Sequence, residues 1–193
     1  SKQFENVHYL SFSRNFGKEA GLLAGLEAAQ GDYVTVMDAD LQDPPELLIE
    51  MYAKIQEGYD VVGTRRADRK GEPPIRSLFA KAFYWLINKV SDTEMVDGAR
   101  DFRLMTRQVV DAILELKEVN RFSKGLFSWV GFDVAYVSYE NRERVAGETS
   151  WSFWSLLSYS LDGFINFSEV PLKLATWAGT FSFLISLVGI VFV

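Results

Sequence analysis

The sequence predicts an α/β fold with a mostly parallel sheet and helices on its faces. Short, apolar, β-rich runs at residues 33–37 and 60–64 follow segments with helical apolar spacing at residues 17–30 and 45–57. With residues 7–11 as a first strand, this β-α-β-α-β order is typical of parallel sheets, whose crossover connections carry helices. Of the 193 residues, 48% are hydrophobic, so the chain can bury a sizeable core.

The two helices of this unit have clear predicted ends. The helix over residues 17–30 has a broad apolar face and stops before Gly31, because glycine often terminates helices. The helix over residues 45–57 is predicted to begin after Asp43, whose side chain would cap it, and to end at Gly58.

The alternation continues in the second half of the domain. An aromatic-rich segment at residues 77–90 predicts a helix that packs on the domain or lies against lipid. The remaining predicted elements are a short strand at residues 102–105, helices at residues 107–116 and 120–131, and a strand at residues 133–139.

Composition excludes several classes of protein. The net charge of −6 argues against a nucleic-acid binder, because phosphate contacts need a basic face. Cysteine is absent, so there is no disulfide framework and no thiolate metal site. The single histidine, His8, lies in an apolar stretch and is interpreted as structural rather than as a ligand or base.

Three oxygen-bearing side chains, Asp38, Asp40 and Gln42, follow the strand at residues 33–37. Alternate side chains of an extended chain share a face, so the three lie together if the chain stays extended beyond the strand. Carboxylate and amide oxygens suit Mg²⁺ or Mn²⁺. Open α/β sheets bind ligands at this end of their strands. The alternative is an acidic turn that only leads into a helix.

Two further polar stretches lie beside predicted strands. One is a loop that begins at Arg65 and ends at Arg76, two residues able to hold phosphate oxygens in bidentate fashion. The alternative for this loop is a solvated charged segment. The other stretch carries Asp101 and Arg103, for which a salt-bridged strand edge is the alternative.

Two strings, RNFGK at residues 14–18 and DADLQDPPE at residues 38–46, together resemble the family 2 glycosyltransferases. The similar subgroup is the polyprenyl-phosphate glycosyltransferases, which include the bactoprenol glucosyltransferases and dolichol-phosphate mannose synthase. The resemblance implies an α/β fold of the GT-A type. It also implies that Asp38 and Asp40 bind the nucleotide sugar by holding Mg²⁺ or Mn²⁺ on its diphosphate, and Gln42 is predicted to join them as a metal ligand.

The RDFR string at residues 100–103 resembles the active-site segment of the bactoprenol glucosyltransferases. The resemblance implies that Asp101 matches the aspartate proposed to act as a base in that subgroup. A phosphate monoester oxygen is already a nucleophile at neutral pH, so a strong base is not required. Asp101 is therefore either the base or a group that orients the acceptor or a basic partner. Arg103 is a candidate for binding the acceptor phosphate or the donor diphosphate.

Three more arginines are implied by family-like motifs. The string GTR ending at Arg65 looks like the family's G-S-R motif, which makes Arg65 and Arg76 candidates for binding the acceptor phosphate or the donor diphosphate. A later string, ERVAGETS, matches a basic family motif up to its last position, where Trp151 replaces a lysine. Arg144 remains the phosphate-binding candidate of that string.

The predicted organisation has three parts. Residues 1–150 form the GT-A domain, and the resemblance indicates that its N-terminal βα portion is missing. Residues 151–170 are almost uncharged and aromatic-rich, which predicts a helix along the membrane interface, with a buried helix as the alternative. Residues 172–193 predict a transmembrane helix in a region that the resemblance indicates is truncated. No residue is charged from Leu174 onward, and these residues would span roughly 30 Å.

The resemblance implies a membrane-bound, inverting, metal-dependent glycosyltransferase. It would move a hexose from UDP-glucose or UDP-N-acetylglucosamine to polyprenyl (undecaprenyl) phosphate for the modification of cell-envelope glycans. The expected location is the inner or plasma membrane with a cytoplasmic catalytic domain, and the expected partners are donor, acceptor, membrane lipid and further copies of the chain. The alternatives are transfer to another lipid or polysaccharide acceptor, or a non-catalytic sugar-nucleotide-binding subunit.

Overall fold

A computed structural model describes residues 5–40, 42–67, 85, 87–89, 96, 98–118, 121–140, 158, 161, 165–166 and 168–192. Predicted elements within these residues, apart from the strand at residues 7–11, are present to within three residues at each end. The segments at residues 77–90 and 151–170 lie mostly outside the described residues. The elements are α1 (Lys18–Ala28), β1 (Tyr33–Val36), α2 (Leu47–Gln56), β2 (Val61–Arg66), β3 (Ala99–Thr106), α3 (Arg107–Glu115), α4 (Ser123–Trp129), β4 (Val134–Tyr139) and α5 (Val170–Phe192).

The described strands form one sheet in the order β1-β3-β2-β4. Strands β2 and β4 are parallel, whereas β3 is antiparallel to both of its neighbours, β1 and β2. Three of the described strands share one direction, but two of the three pairings are antiparallel, so the sheet is a mixed one of the predicted α/β class. The insertion of β3 in the opposite direction between β1 and β2 was not predicted.

Helices cover both faces of this sheet, because alternate residues of each strand point to opposite sides. On one face Val61 and Met105 join a buried cluster with residues of β1, α1, α3 and α4, namely Leu26, Val34, Val109, Val110, Ile113 and Phe127. On the other face their neighbours Val62 and Leu104 pack with Met51, Ile55, Phe102 and Val137. Each fully buried side chain of this size contributes roughly 1.5–3 kcal/mol. The packed faces give the strand ends fixed positions.

The prediction of a strand at residues 7–11 is wrong. These residues have no regular structure, and their side chains, including those of Val7 and Tyr9, are exposed. A strand requires a hydrogen-bonded neighbour. Among the described residues, β1 has β3 as its partner and residues 7–11 join no sheet. Although its composition favours a strand, this segment pairs with no strand in the described part of the chain.

The C-terminal helix α5 is long and apolar. Its stretch Val170–Ile190 has a mean hydropathy of 1.4, and no part of its most apolar window is buried against the rest of the protein. By length and composition it is the one helix among the described residues that is able to cross a membrane. At about 1.5 Å per residue its 23 residues extend roughly 35 Å, a little more than one hydrocarbon core.

Candidate active site

The antiparallel register of β1 and β3 brings two distant aspartates to one edge of the sheet. Val36 lies opposite Arg103 in this pairing. Asp38 follows the end of β1 by two residues, and Asp101 lies in β3 two residues before Arg103, so both lie at this end of the pairing. Both residues were predicted from the sequence as site residues, and they meet at the carboxyl end of β1, the edge at which α/β sheets bind ligands.

Lys18 joins these two carboxylates. Its ammonium nitrogen lies 2.5 Å from Asp101 Oδ2 and 3.0 Å from Asp38 Oδ1. Lys18 is the first residue of α1 and follows Gly17, whose φ of 89° is a conformation that glycine adopts without strain. Burial alone would lower the pKa of Lys18, but Asp101 and Asp38 together raise it above its usual value. Lys18, Asp38 and Asp101 are called the lysine bridge below.

Lys18 was missed as a site residue by sequence reasoning, although it lies within the RNFGK string. The string showed that a basic group precedes α1. It did not show that the helix start faces the sheet edge, because that depends on packing between segments far apart in the chain.

Asp101 is strongly stabilised as a carboxylate. Burial would raise its pKa, but the charge of Lys124, the charge and hydrogen bond of Lys18 and the charge of Arg103 outweigh burial and lower the pKa to about 2. Asp101 is therefore ionised at neutral pH and is a weak base there. Of the two roles open from the sequence, this favours the orientation of basic partners over proton abstraction.

A second polar cluster fixes the loop that follows the DxD aspartates. Asp43 is almost fully buried and accepts hydrogen bonds from Tyr139 Oη and, at 3.1 Å, from Arg100 Nε. Burial, followed by the hydrogen bond to Asp43, raises the pKa of Tyr139 to about 12, so the phenol keeps its proton. These three residues are called the Asp43 anchor below.

The anchor corrects the prediction that Asp43 caps α2. Among the residues that the structure describes, no side chain caps this helix, which instead follows a tight turn closed by a hydrogen bond from Leu47 N to the Pro44 carbonyl. The Asp43 carboxylate is directed inward to Arg100 and Tyr139, so it connects the loop to β3 and β4.

The predicted metal ligands lie on a turn rather than on an extended chain. The Gln42 N–H donates to Asp40 Oδ1 at 3.2 Å, which closes the turn, and Gln42 Oε1 accepts a hydrogen bond from Arg100 at 3.3 Å. The condition for Asp38, Asp40 and Gln42 to share one face, a chain that stays extended beyond the strand, is therefore not met. Asp38 and Asp40 keep the donor chemistry for a divalent cation. Among the described residues, no three acidic or histidine side chains form a cluster suited to a metal.

The predicted phosphate-binding arginines differ in where the structure places them. Arg103 is buried, with its guanidinium carbon 3.7 Å from the centre of the Phe127 ring, and it donates to the carbonyls of Asp101 and Arg100. This placement directs its guanidinium into the protein. Arg65 is exposed near the end of β2, at the same edge of the sheet as the lysine bridge. Arg76 and Arg144 lie outside the described residues.

The lysine bridge places one ammonium group and two carboxylates at the end of the sheet where α/β folds bind ligands. The sequence profile described as glycosyl transferase family 2 matches residues 1–114. Because this match covers more than half of the chain, the chain belongs to glycosyltransferase family 2. The mixed α/β sheet with flanking helices agrees with the GT-A type of fold predicted from the sequence.

Several curated proteins are similar over nearly the whole chain. CsbB of Bacillus subtilis (strain 168), which is named as a glycosyltransferase, is 51% identical over 96% of this chain and 56% of its own length. The bactoprenol glucosyl transferase of Shigella phage SfV is 44% identical over 89% of this chain and 56% of its own length. The prophage bactoprenol glucosyl transferase homolog of Escherichia coli (strain K12) is 43% identical over 88% and 56%. The chain thus spans about half the length of these relatives.

Two solved structures show distant similarity. Mannosyl-3-phosphoglycerate synthase from Rubrobacter xylanophilus matches 76% of this chain and 48% of its own, with 20% identity and a TM-score of 0.45. Glucosyl-3-phosphoglycerate synthase from Mycobacterium tuberculosis, solved with Mn²⁺, UDP-glucose and phosphoglyceric acid, matches 75% and 51%, with 20% identity and a TM-score of 0.43.

Proposed function

We propose that this chain transfers a hexose from a nucleotide sugar to polyprenyl phosphate. The lysine bridge is the observation that carries the proposal, because it sets a fixed cation and two carboxylates at the edge of the sheet where an anionic donor and acceptor would meet. The two relatives named for bactoprenol glucosyl transfer support this acceptor, and their names support glucose as the sugar.

The proposed reaction is a single displacement. An oxygen of the acceptor phosphate attacks the anomeric carbon while the bond from that carbon to the donor diphosphate breaks, so the configuration at the carbon inverts. The diphosphate leaves with the bonding electron pair. Because the acceptor phosphate is already ionised at neutral pH, the enzyme contributes orientation and charge stabilisation rather than a strong base.

The residues of the site divide these tasks. Asp101 orients Lys18 towards phosphate oxygens. Asp38 and Asp40 would hold Mg²⁺ or Mn²⁺, which when bound stabilises charge on the departing diphosphate. Gln42 is left out of this ligand set because its side-chain oxygen, Oε1, accepts a hydrogen bond from Arg100. Arg65 is proposed to contact a phosphate at the same edge, and Arg76 and Arg144 remain proposals for that role.

Helix α5 supports the membrane part of the proposal. A polyprenyl chain is insoluble in water, and its phosphate lies at the level of the lipid headgroups. An exposed apolar helix on the same chain would keep the catalytic domain close to that level. We propose that the domain faces the cytoplasm at the inner or plasma membrane, with Lys173 near the cytoplasmic start of the helix.

In the direct test, the purified chain in detergent is mixed with undecaprenyl phosphate and with Mg²⁺ or Mn²⁺. A panel of radiolabelled nucleotide sugars is then added, one donor at a time. The expected result is metal-dependent label in the organic phase from one donor, which also names the sugar. Asp38→Asn should abolish the label, whereas Asp111→Asn, an exposed change on α3, should not. The proposal fails if folded protein labels no lipid phosphate with any donor, and label on diacylglycerol instead would reassign the acceptor.

A further inference from the structure

Lys124, the second residue of α4, is a cation that the reaction described above does not use. It is partly buried and lies close enough to Asp101 to exert the largest lowering effect on the pKa of that carboxyl. No hydrogen bond or ion pair links its ammonium to any other residue in the part of the chain that the structure describes. A partly buried ammonium without a partner is costly, because charge removed from water needs compensation.

The other cations around Lys124 already have partners. Lys18 is bonded to Asp38 and Asp101, and Arg100 is bonded to Asp43. Arg103 lies over the ring of Phe127. The charges of Arg103, Lys18 and Arg100 all disfavour the charged form of Lys124. Burial is the largest cause of the lowered pKa of Lys124; the charge of Asp101, next in size, opposes it, and the three cations add to the lowering. The surroundings of Lys124 therefore favour an additional anion.

A small cavity lies beside this side chain. It has a volume of about 30 Å³ and is lined by Lys124 and Arg103 together with Phe122, Ser128 and Tyr136 among others. A space of this size holds about two water molecules. It would accept one or two oxygen atoms of an anion, with the rest of the ligand outside, rather than a whole substrate.

We propose that Lys124 is a binding residue for a phosphate group of a substrate. This inference rests on the proposed function and adds to it a residue that sequence motifs did not indicate. The shared chemistry is that of an ionised phosphate, which either the isoprenyl phosphate acceptor or the donor diphosphate supplies.

A link between two helices holds the two lysines in place. Glu19, the neighbour of Lys18, accepts hydrogen bonds from the backbone N–H of Ser123, at 3.2 Å, and from the Ser123 hydroxyl. Ser123 is the neighbour of Lys124 and is buried. The link therefore joins the starts of α1 and α4, the two helix ends that carry Lys18 and Lys124.

The test measures binding to the full chain in detergent for wild type, Lys124→Gln and a matched control, Lys117→Gln. Lys117 is exposed and does not act on the charge of Asp101. The probes are UDP, farnesyl phosphate and, as a ligand without phosphate, farnesol. Because a hydrogen bond to a charged group is worth about 1.5–3 kcal/mol, Lys124→Gln should weaken at least one phosphate probe about tenfold or more. Farnesol binding should not change, and Lys117→Gln should behave as wild type.

The pattern of losses identifies the source of the phosphate. A loss confined to farnesyl phosphate assigns Lys124 to the acceptor, and a loss confined to UDP assigns it to the donor. Unchanged binding of both probes to folded Lys124→Gln overturns the inference. The binding test and the transfer assay fail independently. A chain that binds phosphate through Lys124 but labels no lipid would contradict the proposed transfer reaction and leave this inference intact.

Discussion

The lysine bridge and the Asp43 anchor lie at the same edge of the sheet but differ in their access to solvent. Side chains of the bridge are partly open, with exposed fractions of 44% for Lys18, 38% for Asp38 and 20% for Asp101. In the anchor, by contrast, Asp43 is only 1% exposed. The open cluster is able to exchange its partners for a ligand, whereas the closed cluster is committed to the fold. Asp38 and Asp43, only five positions apart, therefore have different roles: Asp38 is open to a ligand and Asp43 stabilises the fold.

The largest effect is expected from breaking the anchor. Asp43→Ala leaves Arg100 without its buried partner, and losing one member of such a pair costs about 3 kcal/mol or more. Denaturant unfolding of the two proteins measures this loss. Asp111→Asn, which removes an exposed partner of Arg107, is the matched control and should change stability by less than about 0.5 kcal/mol. Equal effects of the two changes would contradict the distinction between the clusters.

The cations around Asp101, of which Lys124 acts most strongly and Lys18 next, should show their contribution in acid. Because the folded-state pKa of Asp101 is lowered from 3.8 to about 2, the folded protein binds this proton less tightly than the unfolded chain. The resulting stability, about 2 kcal/mol, is fully present above about pH 4 and is lost as the pH falls through 2. Asp101→Asn should remove this part of the pH dependence. Unfolding free energies that fall in parallel for wild type and variant between pH 5 and 2 would show that these cations do not stabilise the Asp101 carboxylate.

Tyr139→Phe separates the contributions of the two partners of Asp43 in the anchor, Tyr139 and Arg100. It removes the hydroxyl that donates to Asp43 but keeps the ring and leaves Arg100 bonded to the carboxylate. The expected loss is about 1 kcal/mol, smaller than that of Asp43→Ala, because one neutral donor is lost and no charge is left unpaired. A loss as large as that of Asp43→Ala, measured in the same denaturant series, would mean that the tyrosine rather than the ion pair holds the loop.

The smallest effect on stability is expected for Lys18→Met. Partly exposed ion pairs contribute less than about 1 kcal/mol, because water screens them and long side chains lose entropy when they form. The melting temperature should therefore change little. A loss comparable to that of Asp43→Ala would place Lys18 among the residues that maintain the fold and would weaken its proposed contact with a ligand.

Local patterns predicted the helices, most of the strands and the two acids of the bridge. The apolar run of β1 located Asp38, and the RDFR string located Asp101. Local patterns did not contain the antiparallel register that brings these residues to the same edge of the sheet, since it depends on pairing across more than 60 positions. For the same reason Asp43, followed by two prolines, resembled a helix cap, whereas its partners come from β3 and β4.

Turnover of Lys18→Met tests the central claim most directly. The assay follows hexose transfer to undecaprenyl phosphate, with Asp111→Asn as the control, at matched fractions of folded protein. The account predicts a fall in kcat/KM of about 10²-fold or more for Lys18→Met and wild-type turnover for Asp111→Asn, because a fixed charge at the reacting phosphates contributes several kcal/mol. Wild-type turnover by folded Lys18→Met would show that the lysine bridge is not the site of transfer.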